Sequence, residues 1–244
     1  MSKEIEFKIP MSREEAEKVI NIIFQKYPYQ LKIKTDRYWN SIDDSSAKVR
    51  HQIVRLRSTN IVSDKMIEYF SKDNDCDVKN WFFYPTDKMF DKDEVEKWED
   101  PKSETKLYLT YKHRDVTEKG ESNSEHEEEL TRNQYKTLIK CFDALGYRYF
   151  QKIKRCMTFK LIGKDACGEI TIDFDNVHDM YYFEIEYVIN DEPVLKDGPV
   201  LTEEGAIKEL EDIVKEFGLD PSKKDNRLWK DIIFEHENSK KLEA

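Results

Sequence analysis

The stretch Glu4-Ile5-Glu6-Phe7-Lys8-Ile9 sets the pattern of the chain, because charged and apolar residues alternate strictly along it. On a β-strand this period of two places the three charged side chains on one face and the three apolar side chains on the other. The same alternation returns in later segments, some with carboxylates and others with lysine or arginine. If their charged faces converge, they line one cavity with ligands for metal ions and for phosphate groups. The segments are Arg55–Arg57, Thr110–Arg114, Glu125–Glu129, Thr171–Asp175 and Glu184–Glu186.

The apolar faces of such strands need a cover. The sequence predicts three amphipathic helices, at 12–27, 131–145 and 202–217, and each begins at a serine or threonine cap. A sheet with one polar face usually turns that face to water, whereas a closed barrel encloses it and buries its apolar outside under other elements. The predicted fold is therefore mainly β within the α+β class, an eight-stranded antiparallel closed barrel with flanking helices.

The remaining elements follow from composition and turn signals. One domain is predicted over 1–244, with a charged insertion at about 59–104 that holds the aromatic run 81–84 and a short strand or hairpin near 80–85. A mobile turn is predicted at 118–121, and a last helix is predicted to start near Ser222. After the opening strand, the predicted strands are 31–41, 50–58, 105–115, 124–130, 148–162, 168–175 and 181–189.

The composition excludes several classes of protein. The net charge of −10 argues against a broad basic surface for nucleic acid, so a polyanionic ligand needs a local basic site together with metal ions. The four cysteines show no metal-binding spacing, and reduced thiols suit a cytoplasmic protein. No stretch approaches the ~20 apolar residues of a membrane span, and no apolar signal region is present, so no membrane partner is predicted.

Several motifs follow the opening Glu4-x-Glu6-x-Lys8 in order. They are Asp36-Arg37-Tyr38-Trp39-Asn40, Val54-Arg55-Leu56-Arg57, Leu109-Thr110-Tyr111-Lys112, Ile172-Asp173-Phe174-Asp175-Asn176-Val177 and Phe183-Glu184-Ile185-Glu186. Together they resemble the CYTH superfamily, the triphosphate tunnel metalloenzymes, whose opening motif is ExExK. Segments 217–219 and 226–233 are similar to the tail of the class IV adenylyl cyclase branch. The resemblance covers nearly the whole chain and implies that the barrel interior is a triphosphate tunnel.

Paired carboxylates on one strand face suit Mg²⁺ or Mn²⁺, which take hard oxygen ligands. Both the residue pattern and the resemblance favour the two pairs on the first and last strands, and the resemblance adds further carboxylates. The register of 125–129 stays open, because the family usually has an arginine two residues before the first glutamate and Glu125 stands there in this chain. The predicted metal ligands are Glu4, Glu6, Glu127, Glu129, Asp173, Asp175, Glu184 and Glu186.

Basic residues on the same strands are the predicted phosphate ligands, since arginine grips phosphate bidentately and lysine acts as a point charge. Within 152–155, strand alternation favours Lys152 and Lys154 on the inner face, whereas similarity to the family motif K-x-R favours Arg155, and both readings stay open. The predicted substrate-binding residues are Lys8, Arg55, Arg57, Lys112, Arg114, Lys154 and Arg155. The residues predicted to take part in catalysis are Glu4, Glu6, Lys8, Lys112 and Glu186.

The predicted function is metal-dependent processing of a small-molecule triphosphate. Hydrolysis of a phosphoanhydride in inorganic, nucleoside or thiamine triphosphate ranks first, ahead of a class IV adenylyl cyclase that converts ATP to cyclic AMP and pyrophosphate. Two further alternatives are an RNA 5′-triphosphatase, which makes an RNA 5′ end the one nucleic-acid partner considered, and a non-catalytic module that binds triphosphate or polyphosphate. No Walker P-loop, GxGxxG, HExxH or serine-nucleophile motif competes. The oligomeric state stays open, with a homodimer among the options.

Overall fold

The computed structural model describes residues 3–39, 52–62, 78–83, 105–117, 120–147, 149–163, 168–189 and 202–243. Its strands are β1 (Lys3–Met11), β2 (Gln30–Trp39), β3 (Gln52–Ile61), β4 (Thr105–Thr117), β5 (Gly120–Glu129), β6 (Tyr149–Ile162), β7 (Gly168–Val177) and β8 (Met180–Ile189). They are antiparallel and form a closed barrel in the order β1-β5-β4-β3-β2-β6-β7-β8, with β8 paired to β1. The predicted eight-stranded closed barrel is confirmed.

The register of β1 fixes what lies on each side of the barrel wall. Glu6 lies opposite Glu186 of β8, and Lys8 lies opposite Glu184. The alternate apolar residues of β1 belong to the main core cluster, outside the wall. Because the side-chain period of a strand is two, a slip of one residue would exchange these faces, so burial of the apolar set holds the charged set inside.

Helices cover the outside of the barrel. They are α1 (Arg13–Lys26), α2 (Val78–Phe83), α3 (Arg132–Ala144), α4 (Glu203–Glu216) and α5 (Trp229–Glu243). The apolar faces of α1 and α4 pack with β1 in the main core, whereas α3 covers a second cluster that contains Trp39 and Leu56. Ser12 and Thr131 each form a complete capping box, which fixes the starts of α1 and α3. Gly146 and Gly218, both with positive φ, follow α3 and α4, and both helices end within one residue of the predicted ends at 145 and 217.

The region near 80–85 was predicted as a strand or hairpin, and that prediction is wrong, because residues 78–83 form helix α2. Tertiary packing decides the conformation. Trp81 and Phe82 are fully buried in the main core, and the Phe82 ring stacks on Phe174 at a centroid distance of 4.3 Å. The side chains of Arg155 and Asn176 donate to the carbonyl oxygens of Trp81 and Phe82 at 2.7 Å and 2.8 Å. The rest of the predicted insertion lies outside the described residues.

The predicted last helix is present, but its predicted start near Ser222 is wrong. A short 3₁₀ turn at Pro221–Lys223 is capped by Asp220, and α5 begins only at Trp229. Between them the chain runs beside β1, where the backbone N–H of Asp225 donates to the carbonyl of Lys8 at 2.7 Å. This contact with β1 replaces the helical hydrogen bonds that the sequence pattern favoured.

Several strand ends differ from the prediction. β3 extends to Ile61, and β5 begins at Gly120, where the sequence predicted the mobile turn. Gly120 pairs with Thr117, so strand pairing extends into the predicted turn, of which residues 118 and 119 lie outside the described part of the chain. Among the described residues, no helix has the length and apolar character needed to cross a membrane.

Replacing Trp81 with alanine tests the anchoring of α2. Trp81 is 0% exposed, so Trp81→Ala should lower the free energy of unfolding by about 3–5 kcal/mol through lost burial and the cavity left behind. Chemical denaturation measures the change. Ile162→Ala is the control, because Ile162 is 83% exposed and its loss should change stability by at most about 0.5 kcal/mol. Equal effects of the two substitutions would contradict the described packing.

Candidate functional site

The barrel encloses a cavity of ≈ 270 Å³. Inward-facing residues of all eight strands line it, and residues 227–230, at the start of α5, complete its wall. The lining combines carboxylates with lysine and arginine, as the alternating faces predicted. The charged lining residues are Glu4, Glu6, Lys8, Lys34, Arg55, Arg57, Lys112, Glu125, Glu127, Lys152, Lys154, Asp173, Glu184, Glu186, Arg227 and Lys230.

One side of the cavity is rich in carboxylates. Two cations reach into it from neighbouring strands. The Nζ of Lys112 donates to Glu6 Oε2 at 2.8 Å and lies 3.5 Å from Glu4 Oε2. An Nη of Arg55 lies 3.1 Å from Glu125 Oε1. We call this side the acidic wall, which comes from the adjacent strands β5, β1 and β8 and consists of Glu4, Glu6, Glu125, Glu127 and Glu186.

Two carboxyl groups of the acidic wall hold their protons unusually strongly. Burial, followed by repulsion from Glu186, raises the pKa of Glu4 to about 9. Burial also raises the pKa of Glu186 to about 7, and the nearby Glu6 carboxylate adds to the rise. Lys112 has the opposite effect on Glu6, where its ammonium group outweighs burial and lowers the pKa. Arg55 and Lys112 therefore do not offset the burial of five carboxyl groups, and Glu4 keeps its proton at neutral pH.

The opposite side of the cavity is rich in cations. We call it the basic wall, formed by Lys34, Arg57, Lys152 and Lys154 on the adjacent strands β3, β2 and β6. Asp36 lies behind it, fully buried, and accepts two bonds from Arg57 at 2.6 Å and 3.0 Å. Lys152 Nζ lies 3.2 Å from the same carboxylate. These cations outweigh the effect of burial and hold the pKa of Asp36 well below its usual range.

Lys154 connects the basic wall to β7 and β8. Its Nζ donates to Asp175 Oδ2 at 2.6 Å and to Glu184 Oε2 at 2.5 Å, and it lies 3.5 Å from Asp173 Oδ2. Asp173 also accepts hydrogen bonds from Lys34 and, at 2.6 Å, from Thr158. Against the effect of burial, the two lysines lower the pKa of Asp173. Asp173 is therefore ionised and held rigidly.

Residues at the start of α5 and just before it close part of the cavity. The carbonyl of Arg227 accepts a 2.6 Å hydrogen bond from Lys8 Nζ. The indole N–H of Trp229 donates to Glu184 Oε1 at 2.9 Å. The Nζ atoms of Lys8 and Lys152 lie 5.2 Å and 4.7 Å from the Trp229 ring centroid, within cation–π range. A segment far from the barrel strands in sequence thus becomes part of the site.

Most of the predicted site residues meet in this cavity, but three do not line it. Glu129 is exposed near the end of β5, and Asp175 is fully buried beside Lys154. The position of Asp175 comes from its 2.6 Å bond to Lys154, which holds it behind the lining. The third residue is Arg155. The side chain of Arg114 lies outside the described part of the chain.

Arg155 was predicted to bind substrate, and the structure corrects this. Strand alternation places Lys152 and Lys154 inside the barrel and Arg155 outside it. Arg155 is 1% exposed, and its guanidinium group donates to the Trp81 carbonyl and lies 3.7 Å from Asp179. Its charge anchors α2, so the motif similarity that favoured it gave the wrong face.

Sequence reasoning missed several lining residues. Lys34 had a detectable signal, since Lys32-Ile33-Lys34-Thr35-Asp36 alternates in the same way as β1. Phe150 and Trp229 gave no such signal. An aromatic residue near the start of a strand or helix is common, so nothing in the sequence marks these two as lining residues. Only the closure of the barrel and the path of segment 224–228 bring them to the cavity.

The acidic wall fits a divalent cation. Glu4 Oε2 is buried and has no hydrogen-bond partner among the described residues, and the neighbouring carboxylates offer the hard oxygens that Mg²⁺ and Mn²⁺ take. Cys156, Asp173 and Asp175 also bring ligand atoms within 4.8 Å of one another. That second cluster is a poor site, because Lys34 and Lys154 already neutralise its carboxylates.

A family model describes residues 2–227 as a CYTH domain. The chain belongs to the CYTH family. The match includes every strand of the barrel and ends at Arg227, so the part of the CYTH chain that forms α5 lies beyond it. No curated protein sequence matches the chain significantly.

Solved structures share the fold of this CYTH protein. The PH1819 protein of Pyrococcus horikoshii OT3 has a TM-score of 0.59 and 18% identity, over 96% of this chain and 99% of the other. A conserved hypothetical protein of Pyrococcus furiosus has a TM-score of 0.54 and 18% identity, over 93% and 97%. A candidate adenylate cyclase of Vibrio parahaemolyticus has a TM-score of 0.51 and 13% identity, over 94% and 97%. At these identities the comparisons show the fold alone.

The raised pKa of Glu4 predicts how the stability of the metal-free CYTH protein depends on pH. The folded state keeps a proton on Glu4 that the unfolded state loses near pH 4.5, so stability falls as pH rises from that value towards about 9. Thermal unfolding with a chelator at pH 6 and pH 9 measures the loss. Glu4→Gln, which cannot ionise, should raise Tm at pH 9 by about 2–4 °C, the shift that ~1 kcal/mol produces in a chain of this size.

Glu14→Gln is the control for this pH series. Glu14 is exposed on α1 and its pKa is lowered by a hydrogen bond from Lys18, so it stays ionised in both states above pH 6. The Tm difference between pH 6 and pH 9 should then match that of the unmodified protein. An unchanged difference in Glu4→Gln as well would mean that Glu4 does not hold the extra proton.

Proposed function

We propose that this CYTH protein hydrolyses a phosphoanhydride bond of a triphosphate with Mg²⁺ or Mn²⁺. The observation that carries the proposal is the arrangement of the acidic wall opposite the basic wall in one closed cavity. A triphosphate carries about four negative charges and needs both a cationic surface and metal ions to be enclosed. Membership in the CYTH family supports a triphosphate-related activity, and the charge distribution supports the assignment of each wall.

The acidic wall is the proposed metal site. Glu4, Glu6 and Glu186 would hold the ion, with Glu125 and Glu127 beside them. A bound divalent ion neutralises phosphate oxygens and favours attack on phosphorus. Lys112 lies among these carboxylates, so it offers a cation to a phosphate oxygen at the boundary between ion and substrate. We assign it a catalytic role together with Lys8, which reaches the cavity from the same strand as the metal ligands.

The basic wall is the proposed phosphate site. Arg57 is fixed by its two bonds to Asp36, which orient the guanidinium group before substrate arrives. Lys34, Lys152 and Lys154 supply further point charges, and Arg55 lies between the two walls. Preorganised cations lower the barrier to phosphoryl transfer because they need not rearrange as charge shifts in the transition state. A water molecule positioned by an acidic-wall carboxylate then attacks the terminal phosphorus.

Cyclisation of ATP is the second candidate. It is favoured by residues 226–233, which resemble the tail of the class IV adenylyl cyclase branch and whose first part lines the cavity. In that reaction the ribose 3′-hydroxyl attacks the α-phosphorus and pyrophosphate leaves. The same walls serve both reactions, so the difference lies in which phosphorus faces the nucleophile.

The products separate the two reactions. We expect orthophosphate from tripolyphosphate and from ATP, and 3′-deoxy-ATP should be cleaved about as well as ATP, because hydrolysis needs no ribose hydroxyl. Product analysis with Mg²⁺ and with Mn²⁺ measures this. Cyclic AMP with pyrophosphate, and no turnover of tripolyphosphate or 3′-deoxy-ATP, would refute hydrolysis and establish the second candidate.

Replacing Glu186 tests the metal site. Glu186→Gln keeps the size of the side chain but removes its charge. Removing a residue that only hydrogen-bonds to a metal ligand lowers metal affinity or activity by ~10–100-fold. Glu186 is itself a proposed ligand, so turnover should fall by at least about 100-fold. The matched control is Glu128→Gln, an exposed residue of β5 that does not line the cavity and lies on the face opposite Glu127, so it should retain full activity. Turnover of Glu186→Gln near the unmodified level at limiting metal would remove Glu186 from the site.

A further inference from the structure

We propose that Glu125 makes phosphate binding by Arg55 conditional on a divalent ion at the acidic wall. The carboxylate of Glu125 holds the guanidinium group of Arg55, and this group becomes available to a phosphate oxygen once the carboxylate has a metal ion as its partner. Glu125 thereby couples the metal site to the phosphate site. The inference rests on the proposed function, because it takes the acidic wall as the metal site and the cavity as the triphosphate site.

Glu125 connects the two cations that reach into the acidic wall. Its Oε1 accepts a hydrogen bond from Arg55 Nη2 at 3.1 Å, and its Oε2 lies 3.6 Å from Lys112 Nζ. The side chain of Glu125 is only 12% exposed, so solvent screens both contacts weakly. Each carboxylate oxygen of Glu125 therefore faces a positive charge of the protein itself.

Arg55 is held by residues of the two strands beyond its own. It lies on β3, and its Nη2 donates to Thr110 Oγ1 on β4 and to Glu125 on β5, both at 3.1 Å. The same Nη2 lies 3.6 Å from Glu127 Oε2. Arg55 Nε is buried and has no hydrogen-bond partner among the described residues. The three contacts share one nitrogen, so the guanidinium group keeps donor capacity for another acceptor.

Arg57, two residues along the same strand, is held differently. Its partner Asp36 is fully buried behind the lining and accepts two bonds from Arg57, at 2.6 Å and 3.0 Å. Glu125, in contrast, lines the cavity beside the proposed metal ligands. A metal ion in the cavity can therefore compete for Glu125 but not for Asp36. Arg57 is a permanent phosphate ligand, whereas Arg55 is a conditional one.

Charge balance gives the direction of the effect. A phosphate oxygen that approaches Arg55 also approaches Glu125, whose carboxylate lies 3.1 Å from the same guanidinium group and repels the phosphate. A divalent ion at Glu125 removes this repulsion. Because linkage is reciprocal, the ion and the triphosphate each strengthen the binding of the other. Couplings of this kind typically change affinity by ~5–150-fold.

Binding of imidotriphosphate tests the coupling without turnover, because the bridging nitrogens of this inorganic triphosphate analogue resist hydrolysis. Calorimetric titration of the full chain gives Kd with a chelator and with Mg²⁺, and their ratio is the coupling factor. We expect Glu125→Gln to tighten binding without metal by about fivefold or more and to lower the coupling factor by at least as much. Glu128→Gln, exposed on the same strand, removes the same charge outside the cavity and should leave both constants unchanged.

Two arginine variants of β3 test the other side of the contact. Arg55→Gln should weaken binding of imidotriphosphate about tenfold with Mg²⁺ and by less than about twofold with the chelator. Arg57→Gln is the matched variant and should weaken binding by the same factor in both conditions. In the double variant Glu125→Gln/Arg55→Gln, the gain in affinity without metal should be lost. Thermal unfolding establishes that each variant is folded, and if Glu125→Gln is not, the two arginine variants decide.

The outcomes separate this inference from the proposed function. If imidotriphosphate binds but Glu125→Gln changes both dissociation constants by the same factor, Glu125 acts only by general repulsion, and the inference falls while hydrolysis stands. Equal behaviour of Arg55→Gln and Arg57→Gln, or a gain without metal that survives the loss of Arg55, also overturns it. If imidotriphosphate binds neither with nor without Mg²⁺, the proposed function falls and this inference falls with it.

Discussion

The structure depends on the pairing of inward-facing cations with carboxylates of neighbouring strands. An ionised group taken out of water costs several kcal/mol unless a partner lies close. Lys112 and Lys154 each contact three carboxylates, and buried Asp36 pairs with Arg57 and Lys152. The barrel encloses its charged faces only because these pairs exist. The pairing is incomplete on the acidic wall, where burial, followed by repulsion from Glu186, raises the pKa of Glu4.

Strand order separates the carboxylates from the cations of the cavity. The acidic wall comes from β5, β1 and β8, and the basic wall comes from β3, β2 and β6, so β4 and β7 separate the two. Neither wall suffices alone, since carboxylates repel phosphate and cations repel a metal ion. Opposite walls in one cavity meet both needs of the proposed reaction. The helices outside bury the apolar faces of the strands, which stabilises a barrel whose polar faces point inward.

Helix α2 and segment 224–228 lie outside the barrel strands and dock against them. Helix α2 docks on the outside through Trp81 and through Arg155, which explains why a charged residue of β6 lies outside the barrel. Segment 224–228 docks on β1 and carries Trp229 to the cavity, where its N–H bonds a predicted metal ligand, Glu184. The tail thereby becomes part of the charged site, through the bond of Lys8 to the Arg227 carbonyl and the bond of Trp229 to Glu184.

The sequence by itself determined the barrel, the inner face of β1 and most of the charged lining, because alternation with period two is a local property that also assigns a face. It determined the capped starts of α1 and α3 for the same reason, since Ser12 and Thr131 act within one turn. Only the tertiary structure decided the helical state of 78–83, the face of Arg155 and the position of Trp229. Each depends on contacts between segments distant in sequence, and burial against those partners outweighs local propensity and motif similarity.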